Sequence, residues 1–180
     1  MLVFAFLAKS KWGESMLKKK ICLMGAFCVG KTSLVGRFVH SMFSDRYLTT
    51  VGVKVDKKMM RVDDEDVSLL IWDLSGEDDV QETRMSYARG SSGVLFVVDQ
   101  TRPETLEVAC RLKERVDSEI GKLPFLLLIN KTDLVDECAI NESAILELED
   151  AGWRIFRTSA KTGVGVEKAF QILTKDMICK

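Results

Sequence analysis

The sequence is poor in several things at once. It has two prolines, two tyrosines and one histidine in 180 residues, and its formal net charge is −1. So few prolines leave no Pro-rich linker to divide the chain. A charge so close to zero gives no bulk attraction to nucleic acid, and no such partner is expected. The cysteines Cys22, Cys28, Cys110, Cys138 and Cys179 include no C-x-x-C pair. That spacing argues against a zinc site or a disulfide framework and for a reducing, cytoplasmic compartment. No apolar run approaches the roughly 20 residues needed to span a bilayer, so no integral membrane segment is expected. There is no internal repeat and no low-complexity tract. What remains is an ordinary globular composition, 47% hydrophobic and 29% charged, of a size that suits one core.

The first seventeen residues stand apart. Leu2-Val3-Phe4-Ala5-Phe6-Leu7-Ala8 is apolar but short, with no basic residue before it and no good cleavage site after it. Three readings fit: a membrane-touching arm, a segment packed on the domain, or an upstream stretch that is disordered or not native. Met16 directly before Leu17-Lys18-Lys19-Lys20 offers a natural opening for the first strand, which is expected over about Lys19 to Met24. The expected division is an extension over 1–17 and a single domain over 18–178.

The chain is organised around Gly25-Ala26-Phe27-Cys28-Val29-Gly30-Lys31-Thr32. It follows the apolar run Ile21-Cys22-Leu23-Met24 and opens a helical stripe carrying Leu34, Val35, Phe38 and Val39. A G-x-x-x-x-G-K-[ST] loop between strand and helix aims successive backbone N–H groups at one point, and the helix adds its positive dipole end. Gly30 lets the backbone come close to phosphates, Lys31 reaches terminal phosphates as a point charge, and Thr32 offers a hydroxyl to Mg²⁺. Such a loop specifies a nucleoside triphosphate, with neither the base nor the reaction.

Further on, strand and helix patterns alternate. Val53 to Met59 alternates in polarity, Asp63-Asp64-Glu65-Asp66 reads as an acidic hairpin tip, and Val67 to Trp72 reads as the partner strand. A solvated turn is the bland reading of that acidic cluster and a cation site the sharper one. His40, near the end of the first helix, fits a surface or capping role. Continuous apolar runs at 94–98 and 125–129 predict buried parallel strands. Helices are predicted over 103–119, 141–151 and 165–177, and a short strand over 153–156. The class is α/β with a mostly parallel sheet, whose ligands belong at the carboxyl ends of the strands.

Three clusters fall at such ends. Asp73 follows Ile71-Trp72, where a carboxylate can hold Mg²⁺ opposite Thr32. Asn130-Lys131-Thr132-Asp133 follows Leu126-Leu127-Leu128-Ile129. A carboxylate there can accept both the N1–H and the exocyclic amine of guanine, a donor pair adenine lacks, while the Lys131 stem lies along the ring. Ser159-Ala160-Lys161 follows Ile155-Phe156, where a backbone N–H can bind the guanine carbonyl. An adenine-using P-loop kinase or ATPase is disfavoured by Asp133 and by 159–161.

On these motifs, with Ile71-Trp72-Asp73 before Gly76 and Ser86-Tyr87-Ala88-Arg89-Gly90 after it, the sequence resembles the Rab/Ras small GTPases over roughly residues 18 to 178. It is most similar to the Rab-like GTPases found in bacteria, on Thr50 to Lys58 and Asp73 to Asp78. The resemblance implies the P-loop small G-protein fold: a mostly parallel six-stranded sheet with one antiparallel edge strand and helices on both faces. It implies a GTP/GDP switch with Mg²⁺. Gly25 through Ser33, Phe43, Tyr47, Asn130, Lys131, Asp133, Ser159, Ala160 and Lys161 would hold nucleotide, with Thr32, Thr50 and Asp73 at the metal. Phe43 corresponds to the aromatic that packs on guanine and Tyr47 to the one that closes over phosphates. Thr50 and Gly76 correspond to the γ-phosphate sensors, and Lys31, Thr50, Gly76 and Glu77 to the hydrolytic positions. Effector, exchange and activating proteins would dock through residues 44–54 and 74–90 of a monomer.

The sequence departs from that family at three positions and at its end. Glu77 stands where glutamine usually orients the attacking water. An ionised carboxylate only accepts hydrogen bonds and is repelled by the γ-phosphate, so slow hydrolysis is expected unless Glu77 serves as a general base. Phe27 stands where small residues are common, and its ring can obstruct an incoming arginine finger. Cys28 lies beside a helix N-terminus, where both a redox role and an inert small side chain fit. A non-hydrolysing interaction module is the alternative these departures favour. After the last helix the given chain ends at Cys179-Lys180 without a C-a-a-X box, and stable membrane anchoring is not expected.

Overall fold

The structure, a computed structural model, describes residues 16–44, 52–74 and 82–179, with the side chains of 82–84 left aside. The apolar stretch at 2–8 lies outside the described residues.

Six strands form one sheet in the order β2-β3-β1-β4-β5-β6: β1 Leu17–Met24, β2 Val53–Val62, β3 Glu65–Leu74, β4 Gly93–Asp99, β5 Phe125–Asn130 and β6 Ile155–Arg157. All neighbours pair in parallel except β2, which runs antiparallel to β3 at the edge. Among the described residues five α-helices flank the sheet: α1 Lys31–His40, α2 Glu82–Ala88, α3 Glu104–Glu119, α4 Glu142–Asp150 and α5 Val166–Ile178.

The continuous apolar strands are explained by two cores. Successive side chains of a strand face opposite sides of a sheet. Ile21, Leu23, Leu95, Val97, Leu126 and Leu128 therefore join one buried cluster, with residues of α1 and α5. Cys22, Met24, Phe96, Val98, Leu127 and Ile129 join the other, with residues of α2, α3 and α4. Each fully buried aliphatic or aromatic side chain contributes about 1.5–3 kcal/mol, so central strands without polar positions are the stable solution. On the first face Phe38 of α1 stacks on Phe170 of α5, ring centroids 3.9 Å apart and 5° from parallel. The expected six-stranded sheet with one antiparallel edge is what forms.

Boundaries differ where tertiary pairing extends a local pattern. β1 begins at Leu17, because its register with β3 runs back to Leu17 opposite Val67. The acidic tip is shorter than expected. Only Asp63 and Asp64 turn, both left-handed (φ 46° and 66°), while Glu65 and Asp66 already pair with Val62 and Arg61. Two left-handed residues are what a tight hairpin requires, and aspartate tolerates that conformation. The last strand is shifted to Ile155–Arg157, because Trp153 instead packs edge-on against Phe125. Asn141 caps α4 by accepting the Ser143 N–H at 2.9 Å.

β1 lies where the chain's connections part: β3 flanks it on one side and β4 on the other. The loop after β1 thus opens into the crevice at the carboxyl ends of the strands, where ligands of such sheets bind.

Candidate functional site

The loop at 25–32 is shaped by close approach. Gly25 has φ 149°, and a Cβ there would meet the Val97 carbonyl oxygen at 2.2 Å. Gly30 has φ 97°, and a Cβ there would meet Asn130 Nδ2 at 2.4 Å. Both glycines are needed because the loop lies flat on the ends of β4 and β5. Cys28 is half-buried and adopts the left-handed conformation without being glycine, φ 58°. Lys31 is buried and folds back across the loop, its Nζ donating to the carbonyls of Gly25 and Ala26 at 2.9 Å each.

Thr32 and Asp73 are brought together: the Thr32 hydroxyl donates to Asp73 Oδ2 at 2.5 Å. Asp73 is fully buried, and its Oδ1 has no hydrogen-bond partner among the described residues. Burial pushes this carboxyl up, against the opposing pull of the Thr32 hydroxyl and of Lys31 and Lys54. A buried carboxylate with an orphaned oxygen beside a hydroxyl is a donor set that fits Mg²⁺. That ion binds through one or two protein oxygens plus substrate phosphates rather than in an all-protein cage. The described residues contain no cluster of three or more His, Cys, Asp or Glu suited to a metal.

Asn130, at the end of β5, joins the loops. Its Nδ2 donates to the Val29 carbonyl at 2.9 Å, and its Oδ1 accepts the Ala160 N–H at 3.2 Å and the Thr158 hydroxyl at 3.4 Å. Asp133 is held by Ser159, whose hydroxyl donates to Asp133 Oδ1 at 2.5 Å and accepts the Thr162 N–H at 3.1 Å. Lys131 is left-handed (φ 67°), and its Nζ lies 2.6 Å from Asp99 Oδ2. The 160–161 loop is gripped from α1 by Arg37, which donates to the Ala160 carbonyl at 2.8 Å and also to that of Lys161. Phe43 is half-buried and packs against the cluster beneath α1 and α5.

Tyr47, Thr50, Gly76 and Glu77 lie outside the described residues. So do parts of the two expected docking segments. Just outside these segments, β2 and β3 place Val55 opposite Trp72, and Lys20 sits over the Trp72 ring with its Nζ 4.0 Å from the centroid. Lys20 also donates to the Tyr87 and Arg89 carbonyls at 2.6 and 2.8 Å. His40 stands 3.3 Å from Asp56 at the surface, away from the phosphate loop.

Sequence reasoning missed Asp99 and Arg102. Asp99 ends β4 as Asn130 ends β5, and the two are register partners. Its Oδ1 accepts the Thr101 N–H at 3.0 Å and hydroxyl at 2.8 Å, and its Oδ2 meets Arg102 Nε at 3.1 Å and Lys131. Burial alone would raise this carboxyl. The Lys131 and Thr101 hydrogen bonds outweigh it and hold the group below the usual carboxylate range. The available signal was the one that marked Asp73: an acidic residue terminating an apolar strand.

Among the described residues no helix is long and apolar enough to cross a membrane. A model of the Ras family matches residues 20–179. The chain is 32% identical over 158 residues to the Ras-related protein Rab-7b of Mus musculus, covering 86% of this chain and 79% of that one. It is 31% identical over 163 residues to the Ras-related protein Rab-13 of Canis lupus familiaris, covering 89% and 80%. It is 34% identical over 160 residues to the Ras-related protein RABA2a of Arabidopsis thaliana, covering 88% and 74%.

Proposed function

The chain belongs to the Ras family, whose members are GTP-binding switches, and from that premise we propose that it binds GTP and GDP with Mg²⁺ and hydrolyses GTP slowly by itself. The observation that carries the reading is the Asn130 amide between Val29 and Ala160. It ties the phosphate loop to the loops bearing Asp133 and Ser159, so one rigid frame presents a phosphate cradle and a guanine-reading carboxylate together.

The residues divide the work. Backbone N–H groups of 26–32 cradle phosphates at the start of α1. Lys31 supplies positive charge along the loop. Thr32 and Asp73 would hold Mg²⁺, which neutralises charge on the phosphate oxygens when bound. Asp133, oriented by Ser159, accepts the guanine N1–H and amine, Lys131 and Phe43 flank the ring, and a backbone N–H near 159–161 meets the guanine carbonyl. Thr50 and Gly76 sense the γ-phosphate, with Tyr47 closing over it. Hydrolysis removes that anchor, and both segments relax into a form that a protein partner can distinguish. Effectors and regulators dock through 44–54 and 74–90. The domain so defined covers 18–178.

Hydrolysis is attack of water in line with the leaving β-phosphate oxygen. Glu77 is a poor director of that water, and Phe27 crowds the place where an activating arginine would enter. Titration with fluorescent guanine and adenine nucleotides tests the base, and binding of the adenine nucleotide with equal affinity overturns it. Single-turnover phosphate release by the native chain, Glu77→Gln and Phe27→Gly tests the rate. If neither variant is faster, these two residues do not set it. No turnover in any of them, with or without cell extract, leaves the non-hydrolysing switch as the function.

A further inference from the structure

We propose that Arg102 is a positioning residue that holds the strained peptide between Phe27 and Cys28, so that the Cys28 N–H faces the bound phosphates. The inference rests on the nucleotide-binding reading above and deepens it.

Arg102 Nη2 donates to the Phe27 carbonyl at 2.6 Å, while its Nε pairs with Asp99 Oδ2 at 3.1 Å. The guanidinium is a planar fork, so holding its Nε on Asp99 and its backbone in a fixed turn sets where the Nη2 donor points. Both anchors are firm. Asp99 is fully buried and also holds Lys131 and both donors of Thr101. The Arg102 backbone is itself pinned: its N–H donates to the Asp99 carbonyl at 3.0 Å, and its carbonyl accepts the Thr105 hydroxyl at 2.7 Å. Pro103 follows with φ −60° and carries the chain into α3. A cation on so short and fixed a turn serves as a prop.

The Phe27 carbonyl and the Cys28 N–H belong to one peptide. In a trans planar peptide they point in opposite directions. Fixing the carbonyl toward Arg102 therefore turns the N–H away from it. Cys28 has φ 58°, the alternating geometry that lets consecutive N–H groups converge on an anion. Glycine adopts that conformation freely and cysteine does not. The chain thus carries a strained residue in its phosphate loop and, within 2.6 Å of the preceding carbonyl, a charged donor that compensates. Through the shared Asp99 the same prop is tied to Lys131 on the base side.

The test is the release rate of fluorescent GDP in Mg²⁺ from the full chain, Arg102→Ala, Arg102→Lys, Cys28→Gly and the Arg102→Ala/Cys28→Gly pair. Losing a charge-assisted hydrogen bond predicts release about tenfold faster in Arg102→Ala. Arg102→Lys keeps the charge but not the fork and should release nearly as fast as Arg102→Ala. In the Cys28→Gly background the left-handed residue needs no prop, so the same change should accelerate release by about threefold or less. A merely structural Arg102 would give equal effects in both backgrounds. Equal effects, a change under about twofold in Arg102→Ala, or native-like release from Arg102→Lys overturns the proposal. If the native chain holds no guanine nucleotide, the functional reading falls and this one with it. If it holds GDP and Arg102 is indifferent, only the prop falls.

Discussion

Asn130 Nδ2 donates to the Val29 carbonyl at 2.9 Å across a sequence separation of 101 positions. The donor is at the end of β5 and the acceptor is in the loop after β1, so the bond fixes the 25–32 loop to the end of the crevice that carries Asp133. With Oδ1 turned to Ala160 and Thr158, the amide uses both its donor and its acceptor character in a buried place.

Asn130→Asp keeps the shape but exchanges the donor for a second acceptor facing the Val29 carbonyl. Asn130→Ala only removes the group. Leaving a buried carbonyl unpaired costs about 1–3 kcal/mol, and opposing it with a carboxylate costs more. GDP affinity should therefore fall about 10- to 100-fold in Asn130→Ala and further in Asn130→Asp, measured by fluorescent-nucleotide titration. An Asp variant that binds better than the Ala variant would contradict the donor role.

Gly30→Ala and Gly121→Ala form a matched pair. Both positions are left-handed, φ 97° and 114°, but a Cβ at 121 meets nothing within 4 Å whereas one at 30 meets Asn130 Nδ2 at 2.4 Å. Backbone strain of about 1–3 kcal/mol is common to both. Thermal denaturation should show a distinctly larger loss for Gly30→Ala, and nucleotide release should change only there. Equal losses of stability would mean that the Asn130 side chain yields freely.

Asp99 gives the acid limb of stability a defined sign. Its folded carboxyl titrates below the unfolded one, through hydrogen bonds from Lys131 and Thr101 that overcome burial. Its contribution is thus present above the unfolded value of about 4 and is lost as pH falls through the folded value. Asp99→Asn should be less stable than the native chain near pH 7, and the gap should narrow as pH drops below about 4. Urea unfolding at a series of pH values reads this directly, and a gap independent of pH would refute the assignment.

The fold and the frame of the candidate site were legible because their signals are local. The alternation of Ile21, Cys22, Leu23 and Met24 between two cores needs only the two-residue period of a strand, and Gly30-Lys31-Thr32 needs only its neighbours. Asp73, Asn130 and Asp133 were found because each follows an apolar run. Asp99 follows one too, but its meaning depends on Lys131 and Arg102, which reach it only after β4 and β5 have paired. The handedness of Cys28 was equally hidden. A sequence shows a cysteine in a glycine-rich loop, whereas its φ is set by how Phe27, Gly30 and Asn130 are held around it. Boundary errors at Leu17, Glu65 and Trp153 have the same origin in long-range pairing and packing.

Asp73 offers a test in which stability and binding move in opposite directions. Its Oδ1 is buried without a partner among the described residues, and burial pushes the carboxyl up. In the metal-free chain the charged form is therefore a liability. Its penalty grows as pH rises from the unfolded value through the higher folded one, because the folded state then holds the proton more tightly. Asp73→Asn removes that charge while keeping an acceptor for the Thr32 hydroxyl. With EDTA present, the variant should unfold at an equal or higher temperature than the native chain near pH 7. With Mg²⁺ present, the order should reverse, because only the carboxylate draws the cation to Thr32 and to the phosphates. GDP release from the native chain should slow about tenfold or more on adding Mg²⁺ and should barely respond in Asp73→Asn, in keeping with a charge-assisted interaction of at least ~1.4 kcal/mol. A variant that keeps the full Mg²⁺ response would place the metal elsewhere. A variant destabilised in EDTA would show that the buried charge is compensated within the protein itself.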